Sequence, residues 1–259
     1  MPRIYHTEAI VLSRFELGEA DRVLTLLTPH DGKLKAIAKG VRRPRSRLGG
    51  AVEPFAELYL VLARARTFDV ITSASVAHAW LSLRERLEST ATAWYLAELA
   101  ERAVEERAFA YPVYALLKRA YQLLDDGMAP GRVARWYEFG LADALGMRPE
   151  VERCVECDRV LEADEEFRWV PTLGGTLCAN HPRPPAEVAP LSLAALKLLR
   201  AYRRLDIEAI AGLRLPVAVE AEVEVALRSF IRTVLEREAR SLEFLDEIRA
   251  RRVRMSAPA

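Results

Sequence analysis

The sequence has no apolar run long enough to cross a bilayer; its hydrophobic stretches are broken by charges, as by Glu57 in FAELYLVL and Lys197 in LSLAALKLLRAY. The N-terminal stretch MPRIYHTEAIVLSRFELGE has only a brief apolar segment and no small-residue cleavage site, which argues against a secretory leader and favours a cytoplasmic protein. Cysteine is scarce: three in 259 residues, an odd number that cannot complete a disulfide framework and points to thiols kept reduced for another purpose. Net charge is almost absent as well, with 38 Lys and Arg against 37 Asp and Glu, so the whole molecule has no pull toward nucleic acid or membrane. Glycine (12) and proline (14) are too few for a collagen-like or low-complexity chain. Also missing are G-x-G-x-x-G, the phosphate-binding G-x-x-x-x-G-K-[ST], G-x-S-x-G and H-E-x-x-H, so the sequence favours a binding protein over an enzyme. What is present is apolar residue, 51% of the chain, ample for at least one sizeable core.

The near-zero charge is an average over unlike regions. Residues 1–80 hold 12 basic and 8 acidic residues, a net of +4, which leaves −3 for the remainder. Periodicity changes at the same place. Up to about residue 78 the apolar positions fall in short β-type runs (EAIVLSRF, DRVLTLLT, GKLKAIAK, AELYLVLA, TFDVITSASV) separated by turn signals such as Pro29-His30-Asp31-Gly32. Five short strands in that length predict a small closed or partly closed barrel. From Leu81 onward the period is helical: Leu83, Leu87, Ala91, Tyr95 and Leu99 recur every four residues, and Val223, Leu227, Phe230, Ile231, Val234, Leu235, Leu242 and Leu245 mark one long amphipathic helix or a helix pair. The expected architecture is a β domain followed by an α domain.

The densest charge feature is the run Lys33–Arg47, with seven basic residues and no acidic one. Strand alternation in GKLKAIAK sets Leu34, Ala36 and Ala38 on one face and Lys33, Lys35 and Lys39 on the other, about 6.7 Å apart in steps of two. The row continues into a Gly- and Pro-containing loop carrying Arg42, Arg43, Arg45 and Arg47, whose guanidiniums can fork onto phosphates or stack on bases. A solvated edge strand guarded by lysines would account for Lys33 and Lys35. It accounts poorly for four arginines in six residues with no carboxylate between them, so the segment reads as a polyanion-binding surface. Phe15, Phe55, Tyr59 and Phe68, flanked by apolar residues, read as core, and the isolated His30 and His78 as structural or exposed.

All three cysteines and one of only four histidines form the pattern C-x2-C-x20-C-x2-H: Cys154, Cys157, Cys178 and His181. Each pair brings two donors from one tight turn to the same ion, and two pairs complete a tetrahedron around Zn2+. Four protein ligands leave no position for water or substrate, so the expected role is structural. His6-Thr7-Glu8 matches the H-x-E fragment of zinc nucleobase deaminases, but Arg153 stands where that signature has proline and roughly 150 residues separate the parts.

The residues Gly18-Glu19-Ala20-Asp21-Arg22-Val23-Leu24-Thr25-Leu26-Leu27-Thr28, then Gly32-Lys33-Leu34, Ala38-Lys39-Gly40-Val41-Arg42-Arg43 with Ser46, and Glu53-Pro54-Phe55 closely resemble the N-terminal region of the bacterial RecO family of DNA repair proteins. The Leu-Gly-Gly-x-Leu-Cys approach to Cys178 is similar to that of zinc-bearing members, although His181 stands where many of them carry a fourth cysteine. The resemblance implies an oligonucleotide-binding (OB) barrel, here residues 1–80, and a helical domain, 81–149 and 183–248. It also implies a zinc-binding insertion at 150–182, which leaves a basic tail at 249–259 that reads as unstructured. By the same resemblance the protein is a non-enzymatic, cytoplasmic, nucleoid-associated recombination mediator with structural Zn2+. It would bind single- and double-stranded DNA through Lys33, Lys35, Lys39, Arg42, Arg43, Arg45 and Arg47 and anneal complementary strands. With RecR it would help RecA displace single-stranded DNA-binding protein (SSB), and the SSB tail would sit on helices after Pro190 against a rim such as Arg228, Arg232 or Arg249. A zinc-containing RNA-binding or ribosome-associated factor and a structural adaptor docking an acidic protein surface are the alternatives.

Overall fold

The computed structural model describes residues 4–44, 46, 48–163, 166–181 and 188–256, with side chains as far as Arg251. By compactness these residues fall into two units, 1–130 with 239–259, and 131–238. That division cuts across the boundaries expected from the change of periodicity, because helices that follow the barrel pack on it and the last helix packs on one of them.

The first unit is built on β1 (Ile4–Leu17), β2 (Asp21–Thr28), β3 (Gly32–Ala38), β4 (Glu57–Ala63) and β5 (Asp69–His78). They close into a barrel in the order β1-β2-β3-β5-β4, antiparallel except for a short parallel pairing of β3 with β5. Each expected strand run forms a strand, and the order is that of an OB barrel. Alternation in β3 and β4 sends Leu34, Ala36, Ala38, Leu58, Leu60 and Leu62 to the barrel interior. β1 departs from alternation: Ala9–Leu12 are all buried, because the outer face of the strand is covered by helix α2 (Leu87–Ala103). A register shift between Val11 and Ser13 marks the bend where β1 passes from β4 to β2.

Three helices follow the barrel: α1 (Leu81–Glu85), α2 and α3 (Tyr111–Asp125). The four-residue apolar period is realised at Leu83, Ala91, Tyr95 and Leu99, which are buried, but Leu87 is exposed. The helix breaks at Arg86, whose extended φ of −108° and ψ of 114° restart the phase of the apolar stripe. Phe55 is core as expected, edge-on to Trp94 and Tyr121 at 4.8 and 5.6 Å between ring centroids. Phe15 and Tyr59 are exposed, contrary to the expectation of core, since both point outward from a barrel whose interior is already filled by their aliphatic neighbours.

Two buried carboxylates tie helices and loops of this unit to the barrel. Glu57 accepts hydrogen bonds from Tyr114 (2.5 Å) and Lys118 (2.6 Å) on α3 and meets His78 Nδ1 at 2.5 Å. Burial opposes its charge, but Lys118, Tyr114 and His78 together hold its carboxyl below the ordinary range. Asp69 accepts from Arg107 (2.7 Å), from Tyr5 and from the backbone N–H of Ala65; burial again opposes the charge, and these donors again prevail. The tyrosine that donates to it, Tyr5, is pushed up to about 12 by burial and by the adjacent carboxylate, so it remains a neutral donor.

The C-terminal apolar stripe is a helix pair: α7 (Val217–Leu235) in the second unit and α8 (Ser241–Ser256) in the first, parted at Glu236 by a left-handed turn, φ 55°. Glu98 of α2 caps α8, accepting from the backbone N–H of Arg240 (3.0 Å) and Ser241 (2.8 Å). The residues from 249 onward, expected to be an unstructured tail, are helical as far as Ser256. Leu245 and Ile248 anchor α8 by burial, Arg249 approaches Glu88 at 3.7 Å, and Arg251 pairs with Glu247 one turn back. The side chains of Arg252 and Arg254 lie outside the described residues.

The second unit contains α4 (Pro130–Ala144), a three-stranded sheet and the remaining helices. The sheet is β6 (Phe167–Val170), β7 (Gly175–Cys178) and β8 (Ala189–Leu191) in the order β7-β6-β8, and the helices are α5 (Leu193–Arg204), α6 (Ile207–Ala211) and α7. Its core includes Trp169, tilted against Phe230 of α7 at 5.7 Å. No helix among the described residues is long and apolar enough to cross a membrane.

Candidate nucleic-acid interface and metal centre

At one end of the barrel the β1–β2 turn and the chain leaving β3 are joined. Asp21 accepts the backbone N–H of Gly40 at 2.7 Å, and Arg42 N–H donates to Ala20 at 3.0 Å. A tight turn follows, Arg43 N–H to the Gly40 carbonyl at 3.1 Å. The Gly18–Arg22 and Gly40–Arg43 segments, separate in sequence, therefore form one structure that holds the basic turn against the barrel.

The candidate cations on and beyond β3 have different surroundings. Lys35, Lys39 and Arg43 are exposed and have no ion-pair partner among the described residues. Arg42 is exposed but pairs with Glu16 at 3.1 Å. Arg14 and Arg22, also at this end, share Glu53. Lys33 is turned away from the row: its ammonium donates to the Glu101 carbonyl at 2.5 Å, in the last turn of α2, where backbone carbonyls lack helical partners and the dipole favours a cation. The expected row of three lysines is thus two, because one strand end faces a helix terminus. Arg45 and Arg47 lie outside the described residues. Phe15, nearly half exposed, and Leu17 project from the end of β1 on the face opposite Glu16. The signal for Phe15 was the loss of apolar alternation after Leu12, masked by the general tendency of strand aromatics to be buried.

The metal-ligand pattern is assembled in the second unit by a strand-like docking. Residues 150–155 run beside β7, with Glu150 N–H donating to Gly174 (2.9 Å), Thr176 N–H to Glu150 (2.9 Å) and Val155 N–H to Thr176 (3.0 Å). Only glycine permits that approach at position 175, where a Cβ would stand 2.3 Å from the Glu150 carbonyl oxygen. The chain then turns tightly, Asp158 N–H donating to the Cys154 carbonyl at 2.9 Å with Asp158 left-handed at φ 58°. Cys154 and Cys157 thereby meet Cys178 and His181, and all four donor atoms lie within 4.8 Å of one another.

This donor set could hold a metal ion. Cys157 and Cys178 sulfurs are 3.9 Å apart, close to the ~3.8 Å edge of a tetrahedron with bonds of about 2.3 Å. Nε2 of His181 is buried with no hydrogen-bond partner among the described residues, an orphan that a metal bond would satisfy. Burial opposes ionisation of Cys154, but backbone N–H groups of Cys157, Cys178 and Glu156 outweigh it and pull its thiol down to about 6. Cys157 is raised: the Arg159 N–H favours its thiolate, but burial and the neighbouring sulfurs prevail. Several thiolates this close require a cation to coexist.

Arg228 and Arg232 lie on α7 of the second unit, Arg249 on α8 of the first. Arg228 pairs with Glu224 at 2.6 Å and Arg249 faces Glu88, so two of the three arginines expected on the rim of a peptide groove are engaged within their own units.

Comparison with known proteins finds matches along nearly the whole chain. Residues 1–80 match the family model for the N terminus of recombination protein O and residues 84–243 that for its C terminus. The chain is 40% identical over 257 residues to the DNA repair protein RecO of Roseiflexus sp. (strain RS-1), covering 99% of this chain and 90% of that one. It is 33% identical over 248 residues to that of Dehalococcoides mccartyi (strain CBDB1), covering 96% and 97%, and 32% identical over 251 residues to that of Symbiobacterium thermophilum, covering 96% and 99%. With an OB barrel, a helical region bearing a Cys3His cluster and matches along nearly its whole length, the chain belongs to the RecO family of DNA repair and recombination proteins.

Proposed function

We propose that this protein is a non-catalytic recombination mediator. It binds single- and double-stranded DNA through the basic end of its barrel and anneals complementary strands. In company with RecR it helps RecA onto SSB-coated DNA in the cytoplasm, at the nucleoid. The observation that carries this reading is the trio Lys35, Lys39 and Arg43, exposed on an OB barrel with no ion-pair partner among the described residues. Lys35 and Lys39 neutralise successive phosphates from β3, Arg43 extends the track, and Phe15 offers a ring on which a base stacks. Arg42 joins by exchanging Glu16 for a phosphate, and Arg45 and Arg47 continue the same basic stretch. The SSB tail docks on the helices beyond Pro190, within the helical domain at 81–149 and 183–248. The ion of the Cys3His site at 150–182 is Zn2+, which supplies charge neutralisation and a fixed cross-link to that turn and no reaction step.

The test is salt dependence. Replacing Lys35, Lys39 and Arg43 by alanine should reduce the slope of log affinity against log salt for oligothymidylate by about two units, at roughly 0.7 unit per lost phosphate contact. An unchanged slope would remove the barrel end from the DNA interface, and equal affinity for RNA of matched sequence would favour an RNA-binding factor. For the metal, elemental analysis of the purified protein should find one zinc per chain, and Cys154→Ser should abolish it together with several degrees of thermal stability.

A further inference from the structure

The opposite end of the same barrel is left unused by the DNA-binding reading. There the loop between α2 and α3, residues 104–110, lies along the β2–β3 turn and is stitched to it by backbone. Lys33 N–H donates to Glu105 (3.3 Å), Arg107 N–H to Lys33 (3.2 Å) and Ala110 N–H to Pro29 (3.2 Å). Gly32, at φ +56°, sits so close that a Cβ there would be 2.4 Å from the Ala108 carbonyl oxygen. Three rings ride on this fixed base. Phe109 is 68% and Tyr111 52% exposed, and His30, also exposed, stands 6.1 Å from the first and 6.5 Å from the second between centroids. Large apolar rings grouped in water on a rigid backbone are arranged as a binding surface is, with the ordering cost already met in the fold.

The charge around the rings selects the partner. In sequence the two segments are nearly balanced, with the three acids Asp31, Glu105 and Glu106 against Lys33 and Arg107. Both cations are turned inward. Lys33 is spent on the end of α2, and Arg107 reaches down to buried Asp69 at 2.7 Å and to Tyr5 at 3.2 Å. Glu105 and Glu106 are exposed and Asp31 is half-buried, and none of the three has an ion-pair partner among the described residues. A nucleic acid would be repelled by such a rim. An arginine or lysine is attracted twice, by the carboxylates and by the faces of the rings, while an adjoining aliphatic side chain covers Phe109.

We propose that this aromatic, acid-rimmed patch docks a cationic, arginine- and leucine-bearing segment of a partner protein. The experiment uses the full chain and a fluorescein-labelled peptide of alternating arginine and leucine, followed by anisotropy, with labelled oligothymidylate as the second ligand. Phe109→Ala with Tyr111→Ala should weaken peptide binding about tenfold or more, and Glu105→Gln with Glu106→Gln should weaken it and flatten its salt dependence. Neither pair should change oligothymidylate binding. The glutamine variant preserves shape, so its effect is independent of any loss of fold in the alanine variant. Failure of the wild-type protein to bind the peptide, or equal binding by wild type and both variants, overturns the proposal. Loss of oligothymidylate binding in the alanine variant overturns it also, and assigns the patch to nucleic acid.

Discussion

The two ends of the barrel start from similar material. Each carries lysine and arginine close to aspartate and glutamate, and each is formed by two chain segments joined through backbone hydrogen bonds. At the Gly40 end most carboxylates are engaged: Asp21 holds a backbone N–H, while Glu16 and Glu53 pair with arginines, so that exposed Lys35, Lys39 and Arg43 outnumber the exposed Glu19 and leave net positive charge. At the Gly32 end the cations are consumed, leaving Asp31, Glu105 and Glu106. The sign of a surface is therefore set by which ions the fold uses internally, and a count along the sequence reports only their sum.

The contrast breaks most severely at Gly32. Gly32→Ala places a methyl group against the Ala108 and Glu105 carbonyls at a left-handed φ, and should cost at least about 2 kcal/mol in denaturant unfolding while leaving the DNA salt slope intact. Acid should erode the same end more gradually. The folded carboxyls of Asp69 and Glu57 are held below their ordinary values, so each contributes stability that is fully present above the ordinary carboxylate range. That contribution is lost as pH falls through the lowered folded value. A thermal-melt series from neutral pH downward should show this decline, and Asp69→Asn should flatten it. The smallest effect is expected at Lys33: Lys33→Met should cost about 1 kcal/mol through the lost bond to Glu101, with no change in the salt slope. A slope reduced as much as by Lys35→Ala would return Lys33 to the DNA face.

Much of this was legible in the chain. The five strands announced themselves by alternation and turn residues, because a half-buried strand must repeat every second residue. The Cys3His pattern was readable because four donors of one ion need close spacing in two pairs. Less legible was Phe15, since strand aromatics are usually buried and only the completed barrel shows its interior to be full. Leu87 is exposed because the helix restarts at Arg86, a backbone event that a regular period cannot register. The residues after Arg249 form a helix because Leu245 and Ile248 anchor it, although their arginines alone read as a tail.

By itself, the sequence determined the barrel, the helices, the metal-ligand set and the place where basic residues concentrate, because periodicity, spacing and local charge density are properties of neighbours along the chain. Only the tertiary structure decided which of those charges reach solvent. Lys33 and Arg107 are engaged by a backbone carbonyl and a carboxylate 68 and 38 residues away, and the three rings of His30, Phe109 and Tyr111 become one surface only when a turn and a loop from distant segments are laid side by side. Folding pairs charges by distance in space, and that distance is not written in their order.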